Sequence, residues 1–191
     1  MNGGQAKDQG FTLVELLVSM VILGVIVPAL ALAMITVFKT TASVTERYSN
    51  SQAQQQTATW FSADAQSSQT VLGTSAADAT ACLATSPIGG SQSIVLPFKW
   101  ADQTVSPVTT YVADYYLATS GGTTSFNRLL CTKQSGGFTA LQSLTLVDNV
   151  TSVTPCGSTC SSNVAAPYIT VQIKSTLSPP AFTVKAYRRA A

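Results

Sequence analysis

The chain has 191 residues, of which 46% are apolar and only 9% charged, with a formal net charge of +2. An ordinary soluble domain carries about 25% charged residues, whereas here Ser and Thr fill 48 positions and make a hydroxyl-rich surface. There is no histidine, which removes the usual general base, the commonest transition-metal ligand and any Ser/His or Cys/His nucleophile. The only basic cluster is Arg188-Arg189, so there is no strong case for a nucleic-acid partner, which needs a concentrated cationic stripe.

The apolar residues concentrate near the beginning. Phe11 to Phe38 spans 28 residues with one charge, Glu15. As a helix this stretch reaches roughly 42 Å, and about 20 apolar residues suffice to cross a bilayer. Gly24 and Pro28 interrupt it. Proline lacks a backbone donor and crowds the preceding turn, so a kink or melted stretch is expected over Gly24–Pro28. Glu15 is the informative residue, because a carboxylate inside hydrocarbon costs a few kcal/mol and marks function. It needs a cation or a proton there. No Lys or Arg lies between Phe11 and Phe38, so the cation must come from another chain or a chain terminus. The plainer reading puts Glu15 near the interface, reaching the headgroups.

Around it the chain reads Gly10-Phe11-Thr12-Leu13-Val14-Glu15-Leu16-Leu17. This string resembles the processing site of type IV prepilins and of type II secretion pseudopilins. The resemblance covers the first forty residues. It implies cleavage after Gly10 by a prepilin peptidase and N-methylation of the new terminus, Phe11. It further implies that Glu15 pairs with the amino end of a neighbouring subunit during filament assembly, which supplies the missing cation. Two features depart from the family pattern. The leader 1–10 carries Lys7 offset by Asp8, and Pro28 lies about one turn earlier than the helix-breaking proline of familiar pilins. Two competing readings exist. Lys7, the apolar run and the Ala29-Leu30-Ala31 and Ala31-Leu32-Ala33 triplets resemble a secretory signal peptide. An uncleaved signal-anchor is the other, and it leaves the Gly-Phe-Thr-Leu-Val-Glu string unexplained.

From Lys39 to about Thr70 there is no Gly or Pro. Val44, Tyr48, Ala58, Phe61 and Ala65 recur at helical spacing, so residues 39–72 read as an amphipathic second half of the same helix. Trp60 and Phe61 read as core packing rather than a binding patch. Residues 73–92, rich in Ala, Ser and Thr, read as a connecting loop. The period then changes to two. Ile94, Leu96, Phe98 and Trp100 alternate with Val95, Pro97 and Lys99, and Pro97 puts that strand at an edge or bulge. Tyr111, Ala113, Tyr115 and Leu117 alternate in the same way. Gly121-Gly122 turns the chain into a strand over Phe126–Lys133. Gly136-Gly137 marks another turn. Ile169, Val171 and Ile173 face inward, and Ser178-Pro179-Pro180 separates them from Phe182–Tyr187. Residues 93–191 therefore read as an antiparallel β-sheet of six or seven strands. One face buries against the helix and the other is polar. The expected class is α+β, a long N-terminal helix packed on an antiparallel sheet, which is also the pilin plan.

Cys82, Cys131, Cys156 and Cys160 fall in the part expected outside the cytoplasm. Four cysteines allow three connectivities. The short Cys-Gly-Ser-Thr-Cys segment favours Cys156–Cys160, leaving Cys82–Cys131 to tie the connecting loop to the sheet. A zinc site lacks ligands, with no His and one close Cys pair. The acids Asp8, Glu15, Glu46, Asp64, Asp78, Asp102, Asp114 and Asp148 are isolated along the chain, so no paired-carboxylate or calcium-loop spacing appears. The glycine pairs are turns, not phosphate loops. No cofactor and no enzymatic activity are expected.

The function expected from these features is structural. The resemblance implies a subunit of a type IV pilus or pseudopilus, and the elaborate globular part favours a minor one. A type II secretion or DNA-uptake pseudopilin is the alternative within that class. A membrane-anchored or secreted β-domain adhesin is the alternative outside it. The implied partners are other pilin or pseudopilin subunits, the prepilin peptidase, a platform protein and ATPase acting indirectly, and membrane lipid before assembly. The implied location is a single-pass cytoplasmic membrane protein with an extracytoplasmic globular part, later a surface filament.

Overall fold

A computed structural model describes residues 12–104, 106–134, 136–155, 168–176 and 181–187. The chain forms two compact units, Met1–Thr45 and Glu46–Ala191. Helix α1 covers Leu13–Ser67. In the first unit every described residue from Thr12 to Thr41 is exposed. This stretch lies within a helix long and apolar enough to cross a membrane. Its hydroxyls do not compete with the helix. Ser19 Oγ donates to Glu15 O at 2.7 Å and Thr36 Oγ1 to Leu32 O at 2.9 Å. Each hydroxyl is satisfied one turn back, as an apolar surrounding requires.

The second unit is built from the outer part of α1, a short helix α2 (Ala77–Leu83) and strands β1 (Thr70–Val71), β2 (Ser91–Asp102), β3 (Thr109–Ser120), β4 (Thr123–Gln134), β5 (Gly137–Val147), β6 (Val150–Pro155), β7 (Tyr168–Ser175) and β8 (Ala181–Tyr187). All described pairings are antiparallel. The strands do not make the single sheet that the alternation suggested. They form a five-stranded sheet, β1-β2-β3-β4-β5, and a three-stranded sheet, β6-β7-β8. The division falls at Asp148-Asn149, where Asn149 adopts φ 55°, a conformation Asn tolerates better than most residues.

Local chemistry sets the register. Gly121 and Gly122 both have positive φ, 58° and 80°, and this two-residue turn matches the twist of β3 and β4. It pairs Ser120 with Thr123 and fixes every later pair along the two strands. Gly90 (φ 99°) passes so close to Thr119 O that a Cβ would collide with that carbonyl. A bulge between Ile94 and Leu96 breaks the expected alternation in β2, so that both Val95 and Leu96 join the core. The extra residue in a bulge shifts the facing by one. Pro97 lies just beyond it, and its carbonyl accepts from Leu72 N at 3.0 Å.

One large apolar cluster joins α1 to both sheets. It includes Phe61 and Ala65 of α1, Phe98, Tyr115 and Phe126 of the first sheet, and Ile173 and Val184 of the second. Phe61, Phe98 and Tyr115 meet edge to face at centroid distances of 5.4–5.8 Å, the arrangement favoured by the ring quadrupoles. Within this unit the buried residues of α1 are Asn50, Thr57, Phe61, Asp64 and Ala65, followed by Ser68 in the same row. Tyr48 and, in the first unit, Val44 are exposed. The stripe expected from Val44 onwards is thus corrected. Phe61 and Ala65 are buried and Ala58 packs beside them as expected, but the stripe starts at Asn50 and contains polar groups and an acid.

The opposite face of the first sheet is not the polar surface anticipated. Residues 73–92 contain α2, which covers Val112, Tyr116, Ala118 and Leu129. Asp78 in its first turn accepts from Lys99 Nζ at 2.5 Å and Lys133 Nζ at 3.0 Å. Two lysines from different strands hold the start of the helix, and Cys82 holds its end to β4 through Cys131.

A buried ionic network fastens α1 within this unit. Arg128 donates through Nε to Asp64 Oδ2 at 2.6 Å and through Nη2 to Oδ1 at 2.7 Å. Tyr115 OH donates to the same Oδ2 at 2.7 Å. Arg128 Nη1 reaches Gln142 Oε1 at 2.9 Å, and the guanidinium stands 4.5 Å over the Trp60 ring. Asp64 and Arg128 are 4% and 2% exposed. Burial and the Asp64 charge push the Tyr115 phenol well above its ordinary range, so it remains a donor. Breaking such a pair leaves an uncompensated buried charge and costs about 3–5 kcal/mol. Arg128→Ala should therefore destabilise the second unit by about that amount, measured by urea unfolding of the detergent-solubilised chain. Arg128→Met, which leaves Asp64 unpaired but fills the space, should lie between wild type and Arg128→Ala.

Candidate functional site

The candidate site begins where α1 begins. Thr12 precedes the first helical residue, and its Oγ1 accepts from Glu15 N at 3.4 Å while its carbonyl accepts from Glu15 N at 3.1 Å and Leu16 N at 3.3 Å. Thr-x-x-Glu at a helix start is the capping-box pattern. It was legible in Thr12-Leu13-Val14-Glu15 and adds Thr12 to the site. The arrangement uses the backbone of Glu15. Its carboxylate makes no hydrogen bond or ion pair among the described residues and is exposed. An acid side chain in the first turn also complements the positive end of the helix. What the geometry offers is a lone carboxylate on an apolar helix, with its polar backbone already satisfied. Gly10 and Phe11 lie outside the described residues.

Gly24 and Pro28 are both in place, but α1 continues through them without interruption. The expectation from sequence is a kink or a melted stretch, and the helix as described stays hydrogen-bonded as one element across both residues. The reason is in the spacing: Pro28 stands four residues after Gly24, so the one bond lost is that to the Gly24 carbonyl. Gly24 has open space where a side chain would be, and the turns on either side retain their own bonds.

Cys82 and Cys131 form a disulfide with Cα atoms 5.8 Å apart. It closes 49 residues, a loop length at which the chain-entropy account assigns about 4 kcal/mol. Cys156 and Cys160 lie outside the described residues. Among the described residues no group of His, Cys, Asp and Glu is arranged to hold a metal. The described carboxylates take distinct roles. Asp64 lies in the Arg128 network, Asp78 holds two lysines, and Asp114 is buried.

Asp114 was read from sequence only as an isolated acid. It points to the α2 side of β3, between Val112 and Tyr116, opposite Pro97 and Leu129. It is fully buried, and neither carboxylate oxygen has a partner. The nearest lysine in register, Lys99 opposite Val112, is engaged by Asp78, and the Tyr116 phenol is engaged with Ser86. Burial raises the Asp114 carboxyl to about 8. Hydrogen bonds from Lys99 and Lys133 lower Asp78 below its ordinary value. An acid raised on folding stabilises most fully below its unfolded value of about 4 and loses that contribution as pH climbs to about 8. Asp114→Asn cannot ionise. The wild-type chain should lose stability against this variant between about pH 4 and 8, at up to about 1.4 kcal/mol per pH unit, as followed by thermal unfolding across that range. Parallel pH profiles would contradict the burial of a protonated Asp114.

Comparison with known proteins converges on the same end of the chain. Residues 5–27 match the family model described as the prokaryotic N-terminal methylation motif. The match contains Gly10, Phe11, Thr12, Glu15 and Gly24 and stops just before Pro28. It supports a type IV pilin-like protein that is processed by the prepilin peptidase and assembles with other pilin subunits. No curated protein and no solved structure matches the chain.

Proposed function

We propose that this protein is a structural subunit of a type IV pilus or pseudopilus, and a minor one, acting by assembly rather than catalysis. The observation that carries this reading is the Gly10-Phe11-Thr12-Leu13-Val14-Glu15 string inside the matched segment 5–27, directly ahead of an exposed apolar helix. An apolar surface of this extent has two stable surroundings, lipid and other apolar helices. The protein would use both in turn, first as a membrane-anchored precursor and then in the filament. Cleavage after Gly10 would create a cationic terminus at Phe11. In the next subunit Glu15 is an acid with no cation of its own chain between Phe11 and Phe38. Each end thus supplies what the other lacks, and the attraction is large because water is excluded.

The minor assignment is supported by the two-sheet globular unit with its covering helix α2, an elaborate structure for a repeating subunit. A pseudopilin of a secretion or DNA-uptake system has the same chemistry at its N-terminus. Membership of one system or the other would be read from the filament into which the subunit is incorporated. The part after the apolar segment is assigned to the extracytoplasmic side, in keeping with its disulfide.

Mass spectrometry of the mature N-terminus is the direct test, and the expected species begins at N-methylated Phe11. A start after Ala31 or Ala33 would instead make this a secreted β protein, and an intact Met1 a simple anchor. Glu15→Ala should leave processing possible and reduce filament incorporation. Loss of a buried pair costs about 3–5 kcal/mol and each 1.4 kcal/mol is tenfold, so the reduction should be about a hundredfold or more. Quantifying the subunit in sheared filaments checks this, and normal incorporation would remove Glu15 from the mechanism.

A further inference from the structure

Strands β7 and β8 turn opposite faces to opposite surroundings. Ile169, Val171 and Ile173 of β7, with Val184 and Ala186 of β8, belong to the core. The alternate residues face solvent, and among them are two aromatic rings. Tyr168 and Tyr187 are register partners, 46% and 59% exposed, with centroids 6.2 Å apart. Neither ring is needed for the core. Lys185 Nζ lies 3.9 Å from the Tyr168 centroid and 5.1 Å from that of Tyr187. The rings hold the ammonium in place by cation–π attraction without neutralising it. Lys174 stands further along the same face of β7. Neither lysine makes an ion pair among the described residues.

Charge is segregated along the sequence in the same sense. The last acid is Asp148, and four basic residues follow it: Lys174, Lys185, Arg188 and Arg189. The preceding part holds all 8 acids against 6 bases. The face therefore attracts anions, on a molecule otherwise slightly acidic. Its charges are sparse, however. Lys185 is opposite Thr170, four residues from Lys174, which separates their strand positions by roughly 14 Å from ordinary rise and strand spacing. Duplex DNA carries one charge per about 1.7 Å and its binders neutralise several phosphates, so two lysines this far apart are a poor match. Between them stand Gln172 and Thr183, register partners and neutral hydrogen-bonding groups.

We propose that the outer face of β7 and β8 binds an acidic polysaccharide of the polyuronate class, whose rings carry both carboxylates and neutral hydroxyls. Tyr168 and Tyr187 pack against the C–H faces of the sugars, since aromatic rings join an apolar body to a polar tip. Lys185 and Lys174 pair with carboxylates, and Gln172 and Thr183 hydrogen-bond the hydroxyls between them. This site is independent of the N-terminal assembly chemistry.

The test is a titration of the full chain in detergent micelles with polygalacturonate, beside neutral pullulan and oligothymidylate as controls. Polygalacturonate should bind, more weakly as salt rises. The double variants Lys174→Gln/Lys185→Gln and Tyr168→Ala/Tyr187→Ala should each weaken binding by about tenfold, the equivalent of 1.4 kcal/mol, with unfolding midpoints near wild type. The lysine pair alone suffices as a test if the tyrosine variant fails to fold, because its residues are exposed and conservatively replaced. Absence of polygalacturonate binding at low salt, equal binding of pullulan, tighter binding of oligothymidylate, or binding unchanged in the lysine variant would each overturn the proposal. None of these outcomes depends on whether the chain enters a filament.

Discussion

The ion pair between Asp64 and Arg128 constrains the globular unit more than any other contact. A charged pair this deeply buried is tolerated only with full hydrogen bonding, and the surroundings meet that condition. Tyr115 takes one carboxylate oxygen, Gln142 takes a guanidinium nitrogen, and Trp60 covers the cation with its ring. These partners come from α1, β3, β4 and β5. Satisfying them all fixes the rotation of α1's outer part and the register of three strands together. Apolar packing around Phe61 would permit several rotations of the helix at similar energy. The ionic network permits one.

The two faces of the five-stranded sheet solve different problems. On the α1 face the strands share one apolar cluster with the second sheet, so Ile173 and Val184 are buried without a helix of their own. On the other face a seven-residue helix is too short to be stable alone, and it is held at both ends. Asp78 binds two lysines at its start, and the Cys82–Cys131 disulfide holds its last turn. Under this cover lies Asp114, a carboxyl that burial keeps protonated at neutral pH. Covalent and ionic attachment of the cover offsets the cost of that buried polar group.

The first unit has the opposite economy. The described residues 12–41 are all exposed, Ser19 and Thr36 turn their hydroxyls back onto helix carbonyls, and Glu15 has no partner among the described residues. Such a surface is complete only in contact with lipid or with other helices. The globular unit has a closed core and an outer face on β7 and β8 with its own charge and aromatic character. On the proposed reading assembly and recognition would fall to different residues, and changes at one need not disturb the other.

The candidate assembly site was readable from residues alone, because its signals are local. An apolar run, one acid without a cation, and a Gly-Phe-Thr-Leu-Val-Glu string need no folding to be recognised. The same holds for the Gly121-Gly122 turn and the alternation in β3 and β7, where one residue type dictates the backbone or one face dictates the pattern. Other features depended on contacts distant in sequence. Asp64 and Arg128 are 64 positions apart, so nothing local tells that an acid shares the buried row of Phe61 and Ala65, which helical spacing did indicate. Helix α2 was hidden because Ala, Ser and Thr suit loop and helix alike, and its stability comes from Lys99, Lys133 and Cys131 rather than from its own residues. The division into two sheets and the burial of Asp114 were likewise tertiary decisions. Period-two alternation tells which residues share a face of a strand, but what covers that face is set by where the rest of the chain returns.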